Sequence, residues 1–401
     1  MKVSSLGWFG FILFIVPALK VYAIQQIGFL DTLFDIWGII SCLSLVLITV
    51  KIKKNVLIKY IISFVLIYLV STWFHNPDQL IGAISETSRL LIVPFYMLLI
   101  KHEHSMVSFL VKLRKSFILL LFVDTFTGMV QIAGIRIFEN NAITFLGLDN
   151  YAAFIIIPML SIIFFTSYIC VGRIRRIDIM IYFLSFTMKL LTNSLSALLA
   201  LIIFGLTIFL GLHWKKIREQ ITPRKIVILI IILLIMIVGF GIQNFFEPLF
   251  TKLGRDVTLS YRTVIWDKLL RSIPESLLIG YGKTSGDEFK TIVGLSLLYD
   301  TQANHPHSFY LAVLFSTGCI GCIVFLRMLF LTFKASFQNR KSKSMYLLSC
   351  GLISFFIIAF ADDYIMLPYL YILICIVNYY AFFMLHKKSL DTIDNNYIYQ
   401  N

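Results

Sequence analysis

Two histidines, His305 and His307, stand in the run Asn304-His305-Pro306-His307-Ser308, immediately ahead of a long apolar stretch. Ser308 suits the N-cap of the helix that this stretch would form. A helix N-terminus presents free N–H groups and partial positive charge, so it attracts anions and disfavours imidazolium. A neutral histidine beside such an end meets the needs of a general base. The plainer alternative is a pair of interfacial residues hydrogen-bonded to backbone. Upstream lie Arg255, Arg262 and Arg271, whose planar guanidinium groups suit bidentate binding of phosphate or diphosphate. Asp267 and Arg271 are four apart and read as an ordinary ion pair. Arg262 has Trp266 at that position and no such local partner.

The elements that must position these residues are short. Ser260 can cap a helix running to about Ile273, where Pro274 stops it, and on it Arg262 and Trp266 share a face. A glycine-rich turn follows from Gly280 through Gly282 to Gly286, and an amphipathic run from Asp287 to Tyr299 then leads to the histidines. Across 247–308 seven acidic and seven basic residues cancel, so anion binding there must come from the placement of particular arginines. Charged residues inside apolar runs are costly and tend to be paired or functional. Glu86 and Arg89 are three apart and read as partners of one another, whereas Asp124 and Lys189 find no local partner. Asp362 and Asp363 sit at a turn, where they need no explanation by burial.

The remainder of the chain reads as membrane. Of its 401 residues 59% are hydrophobic and 14% charged, and the mean hydropathy is +0.88. An ordinary soluble domain has about 45–50% apolar residues. The net charge of +14 is spread over short loops between apolar runs and not gathered on one soluble face, which excludes a nucleic-acid footprint. All six cysteines lie in apolar segments and support neither a disulfide framework nor a zinc site.

A span needs about 20 apolar residues, and about twelve such runs are present, near 6–24, 30–50, 56–74, 79–100, 116–134, 150–170, 177–192, 195–212, 226–246, 308–331, 345–361 and 365–385. The first is read as a retained helix and not as a cleaved signal. Every second loop is basic, which predicts that both termini are cytoplasmic. The expected fold is an all-α polytopic membrane protein with about twelve transmembrane helices and a large external loop between the ninth and tenth. Its expected parts are an N-terminal transmembrane region (1–246), the large extracytoplasmic loop (247–307), a C-terminal transmembrane region (308–386) and a cytoplasmic tail (387–401).

No nucleotide-binding GxxxxGK[ST], zincin HExxH or GxSxG motif is present, and Gly280-x-Gly282 does not open a helix after a strand. With no ATP motif, energy must come from the substrate or a gradient.

In order, Arg262, Trp266, Pro274, Gly280, Gly282, His307, Leu311 and Gly318-Cys319-Ile320-Gly321 resemble the C-terminal domain of the bacterial O-antigen polymerase (Wzy) and O-antigen ligase (WaaL) superfamily. The segment from Leu191 to Ala200 is similar to the family's serine-containing helix start. Two departures are Leu195, where the family commonly has Arg, and Ser308, where it commonly has Asn. The resemblance covers roughly Leu191 to Phe325. It implies glycosyl transfer outside the membrane from a glycan on undecaprenyl diphosphate, with no cofactor, nucleotide sugar or metal. It implies catalytic roles for His307 and Arg262, and substrate binding by Arg255, Arg89, His305, Trp266, Gly280 and Gly282. The implied partner is an undecaprenyl-diphosphate-linked oligosaccharide, with a chain-length regulator and a flippase of the same pathway as further partners. A polymerase in the bacterial cytoplasmic (inner) membrane is the favoured expectation. The alternatives are a ligase that passes the finished glycan to lipid A core or another acceptor, and a lipid-linked oligosaccharide flippase. A flippase would place its charges along a cavity between helices.

Overall fold

A backbone inside hydrocarbon has no water to bond, so it must satisfy its own polar groups, and helices do so within one segment. The computed structural model describes residues 7–52, 55–100, 103–135, 137–138, 143–240, 262–295, 304–360 and 362–398, and these are almost wholly helical. The helices are α1 (Gly7–Ile15), α2 (Tyr22–Gln25), α3 (Gly28–Thr49), α4 (Val56–His75), α5 (Leu80–Met97), α6 (Glu103–Ile132), α7 (Asp149–Val171) and α8 (Arg176–Leu191). There follow α9 (Leu195–His213), α10 (Lys215–Gln220), α11 (Pro223–Phe240), α12 (Arg262–Ser272), α13 (Gly286–Val293), α14 (Phe309–Gln338), α15 (Lys343–Ile358) and α16 (Pro368–Ile398). A two-stranded hairpin pairs Ile143 with Leu148 and Thr144 with Gly147.

Most of the apolar runs lie on one of these helices, and where about twelve spans were expected, six helices among the described residues are long and apolar enough to cross a membrane. The chain is thus a polytopic membrane protein. Three further apolar stretches are shorter: Gly7–Leu19, Lys343–Ile358 and Pro368–Met384. The first run breaks at Lys20, whose Nζ lies 2.6 Å from carboxylates of both Asp31 and Asp35. A buried ammonium needs such partners, and the break is what lets it reach them.

The centre is made by α7, α15 and the first part of α16 (368–377), whose residues are buried on nearly every side. Small residues bring the first two together. A Cβ on Gly351 would come within 2.3 Å of Ser161 Oγ, and that hydroxyl donates to Leu347 O at 3.0 Å. The two ends of α4 mark the two ends of the bundle: Asn55 and Val56 share a cavity with Lys334 and Gln338, beside the basic loops, whereas His75 and Asn76 meet Ser276 and Tyr281, beside α12.

At that second end α14 is not one helix. Phe309 and Phe325 would be about 24 Å apart along a straight helix, yet their ring centroids lie 5.4 Å apart. The chain folds back at Gly318, which has φ 59° and ψ −166°. Residues 309–317 form a separate half-helix that carries His307 and Ser308 at its mouth.

Candidate functional site

The break at Gly318 leaves backbone groups of α14 without helical partners, and the glycine-rich turn supplies them. Tyr281 N and Gly282 N donate to Phe315 O and Ser316 O at 2.8 and 2.9 Å, while Cys319 N and Ile320 N donate to Leu277 O and Leu278 O at 2.8 and 3.1 Å. On the other side α4 closes over the turn. Asn76 Nδ2 donates to Tyr281 O at 2.8 Å, and Lys283 N donates to Thr72 Oγ1 at 2.9 Å. Both turn glycines have positive φ, and a Cβ would lie 2.5 Å from Phe315 O at Gly280 and 2.2 Å from Thr72 N at Gly282. Packing therefore accounts for the glycine requirement at 280 and 282, which the sequence reading assigned to substrate.

Helix α12 runs from Arg262 to Ser272, and a 3-10 turn from Ile273 to Ser276 ends it at Pro274, close to expectation. Its Asp267–Arg271 pair is present at 2.9 Å on an exposed face. Trp266 is fully buried; its Nε1 donates to Pro306 O at 2.9 Å and its ring meets Phe360 edge to face. The indole thereby pins the backbone between the two histidines. Arg262, one turn earlier on the same face, is set beside Asp362 and Asp363 and feels both charges.

Those two aspartates correct the sequence reading. They lie in the turn between α15 and α16 and are buried, at 5% and 8% exposure, so they do need an explanation. His305 Nδ1 makes a short contact with Asp363 Oδ1 and lies 3.7 Å from Asp362 Oδ1; His307 Nδ1 is also 3.7 Å from Asp362 Oδ1. The two imidazole rings are 3.7 Å apart. His307 has φ 50°, a left-handed conformation that costs a non-glycine residue about 1–3 kcal/mol and persists where its surroundings demand it.

Burial opposes charge on His305, but Asp363 and Asp362 more than offset it, and its pKa is raised above the ordinary 6.5. For Asp362 burial is outweighed by the His307 hydrogen bond and the charges of both histidines, which hold its carboxyl below the usual range. Burial lowers the Arg262 pKa against the pull of the same aspartates, and the group stays cationic at neutral pH. The expected N-cap differs in one respect: Ser308 occupies the N-cap position, but its side chain makes no capping bond.

His305, His307 and Asp362 are also the set among the described residues whose atoms, within 4.8 Å of one another, could hold a metal ion. Arg262 already brings positive charge to the same carboxylates, and a divalent cation would compete with it.

Beside this cluster is a cavity of about 310 Å³ that includes Lys20, Glu86, Arg89, Tyr151 and Tyr364. The Tyr364 ring stands 6.3 Å from that of His305 and 4.5 Å from that of Tyr151, so one residue borders both cluster and cavity. Glu86 and Arg89 do not pair with each other as the spacing suggested. Arg89 makes a short ion pair with Asp35, and Glu86 meets Lys283 at 2.5 Å. Arg255 lies outside the described residues, as does Ser260.

Elsewhere the unpaired intramembrane charges find one another across helices. Asp124 and Lys189 interact electrostatically between α6 and α8, and Asp124 also accepts from Leu146 N at 2.7 Å. Ser194 and Ser196, in the serine-containing segment, both donate to Asn150 Oδ1, at 2.9 and 2.6 Å. A signal for Asp362 and Asp363 was available, since two adjacent acids between apolar runs invite a search for facing cations. Their partners sit more than fifty residues upstream, where no local spacing rule reaches.

No curated protein and no solved structure matches the chain. Residues 180–326 match a family model, Wzy_C, described as O-antigen ligase. The match takes in Arg262, Trp266, both turn glycines, His305, His307 and Gly318, and this stretch, less than half of the chain, is similar to the O-antigen ligase family.

Proposed function

We propose that the protein is a polysaccharide polymerase that transfers a growing glycan from undecaprenyl diphosphate to a lipid-linked repeat unit. The reaction takes place at the outer face of the bacterial cytoplasmic membrane, and both termini are cytoplasmic. The observation that carries the reading is a histidine pair held against two buried aspartates, whose charges also reach Arg262.

The acceptor hydroxyl oxygen forms a bond to the anomeric carbon of the donor while the bond from that carbon to the diphosphate oxygen breaks, its electron pair leaving with the diphosphate. His307 takes the hydroxyl proton, and Asp362, near its Nδ1, stabilises the imidazolium that results. Arg262 offers a two-pronged donor to the diphosphate as charge develops on it. His305, held charged by Asp363, adds a second cation on the same side.

In cells lacking the gene, a polymerase predicts surface glycan reduced to single repeat units, restored by the wild-type copy. Arg262→Ala is expected to cost about 10²–10³ in transfer rate, as removal of one charge-stabilising donor does. His307→Ala is expected to cost about 10²–10⁴. Normal chain lengths from both variants, with normal protein levels, would sink the assignment. The matched family model is described as a ligase, which supports a second reading: transfer of finished polymer to another acceptor. Loss of the gene would then leave full-length polymer stranded on undecaprenyl diphosphate.

A further inference from the structure

The cavity beside the histidine pair contains two cations, Lys20 and Arg89, and a phosphate site is the first thing they suggest. Their partners argue otherwise. Lys20 is held by Asp31 and Asp35, Arg89 by Asp35, and the cavity's carboxylate, Glu86, by Lys283. Three cations meet three carboxylates, so the local charge cancels. A diphosphate entering here would have to compete with Asp31 and Asp35 for both cations, and it would meet Glu86 as well. The other polar groups lining the cavity are uncharged or already neutralised: the hydroxyls of Tyr68, Tyr151 and Tyr364, the amide of Gln25, and the second oxygen of Glu86. Tyr68 and Gln25 already reach into that network, through Glu86 at 3.4 Å and Tyr151 respectively.

Hydroxyl, amide and carboxylate groups beside aromatic rings and an apolar wall formed by Ala18 and Ile365 are what a sugar ring requires. Its hydroxyls need alternating donors and acceptors, and its C–H faces pack against aromatic surface. The cavity, about 310 Å³, lies at the small end of the ~300–1,000 Å³ range of ligand sites, suited to a compact ligand. Tyr364 borders it, with its ring 6.3 Å from that of His305, so a bound sugar would lie next to the histidines.

We propose that this cavity is the subsite for an uncharged pyranose, the acceptor sugar of the transfer reaction, and that Lys20, Arg89 and Asp35 form its neutralised frame and not a phosphate clamp. The acceptor role rests on the proposed transfer reaction; the binding of a neutral sugar does not. Diphosphate recognition is then left to Arg262 and His305, on the far side of Tyr364.

The test uses the full-length protein in lipid nanodiscs, with saturation-transfer NMR on the methyl glycosides of glucose, galactose, rhamnose and N-acetylglucosamine. Inorganic pyrophosphate serves as the anionic probe. At least one glycoside is expected to bind, and pyrophosphate not to displace it. Gln25→Ala is expected to weaken that glycoside by about tenfold, a loss of about 1.4 kcal/mol, while pyrophosphate binding is unchanged. Tyr151→Phe, which keeps the ring and removes only the hydroxyl, gives a milder loss and guards against misfolding. Arg262→Ala should show the reverse pattern. No signal from any glycoside, or displacement by pyrophosphate that Arg89→Gln abolishes, would overturn the proposal. Glycoside binding in a protein that transfers no glycan would defeat the transfer reading and leave the subsite standing. Transfer without glycoside binding would do the opposite.

Discussion

At the scale of single residues, the site is a matter of which charges face which. His305 sits between two buried carboxylates, and its pKa is raised above 6.5 because their attraction outweighs the burial that opposes it. A raised folded-state value means that the pair's stabilisation is fully present below the unfolded pKa and is lost as pH rises through the folded one. Thermal unfolding followed from pH 6 to 10 should therefore show stability falling on the alkaline side, and Asp363→Asn should bring that fall to lower pH. An unchanged profile in the variant would mean that Asp363 does not hold the proton on His305. The trio His305, His307 and Asp362 allows a second measurement at this scale. Because Arg262 supplies the countercharge, glycan transfer by purified protein is expected to survive chelation by EDTA. Activity lost to EDTA and restored by one divalent ion would make the trio a metal centre.

At the scale of elements, the broken α14 and the turn that completes it act as one unit. The bonds from Leu277, Leu278, Tyr281 and Gly282 satisfy backbone groups that Gly318 exposes, and an unsatisfied buried group costs about 1–3 kcal/mol. Gly318→Ala forces a side chain into positive φ and to within 2.4 Å of Leu278 backbone, and Gly282→Ala does the same against Thr72. Each is expected to destabilise by at least about 1–3 kcal/mol, read as a lowered unfolding temperature. Gly28→Ala, whose Cβ meets nothing within 4 Å, should leave it unchanged. Equal temperatures for all three would show that the turn does not brace the helix. Trp266 belongs to the same unit through Pro306, which is why the histidines take their positions from α12 as well as from α14.

At the scale of the whole molecule, the polar clusters and the basic loops occupy opposite ends of one helical bundle. Single cysteines placed in a cysteine-free background at Arg271, whose side chain is 78% exposed, and at Lys216 on α10 should react with a membrane-impermeant maleimide from opposite sides. In intact cells the Arg271 position is expected to label and the Lys216 position to stay protected until the membrane is opened. Labelling of both from outside would refute the proposed orientation.

The sequence by itself determined the polytopic helical class, because hydrocarbon thickness dictates helix length locally; of the about twelve expected spans, six described helices are long and apolar enough to cross. It also determined that Arg262 and Trp266 share a face and that Asp267 pairs with Arg271, since a helix brings residues four apart together whatever surrounds it. Only the tertiary structure decided the partners of the remaining charges: Asp35 for Arg89, Lys283 for Glu86, Lys189 for Asp124, and Asp362 and Asp363 for the histidines and Arg262. It alone showed that Gly280 and Gly282 serve the break at Gly318. Charge attraction and an orphaned backbone group carry no memory of distance along the chain. Which of them meet depends on which helix ends are packed side by side, and no spacing within a single segment records that.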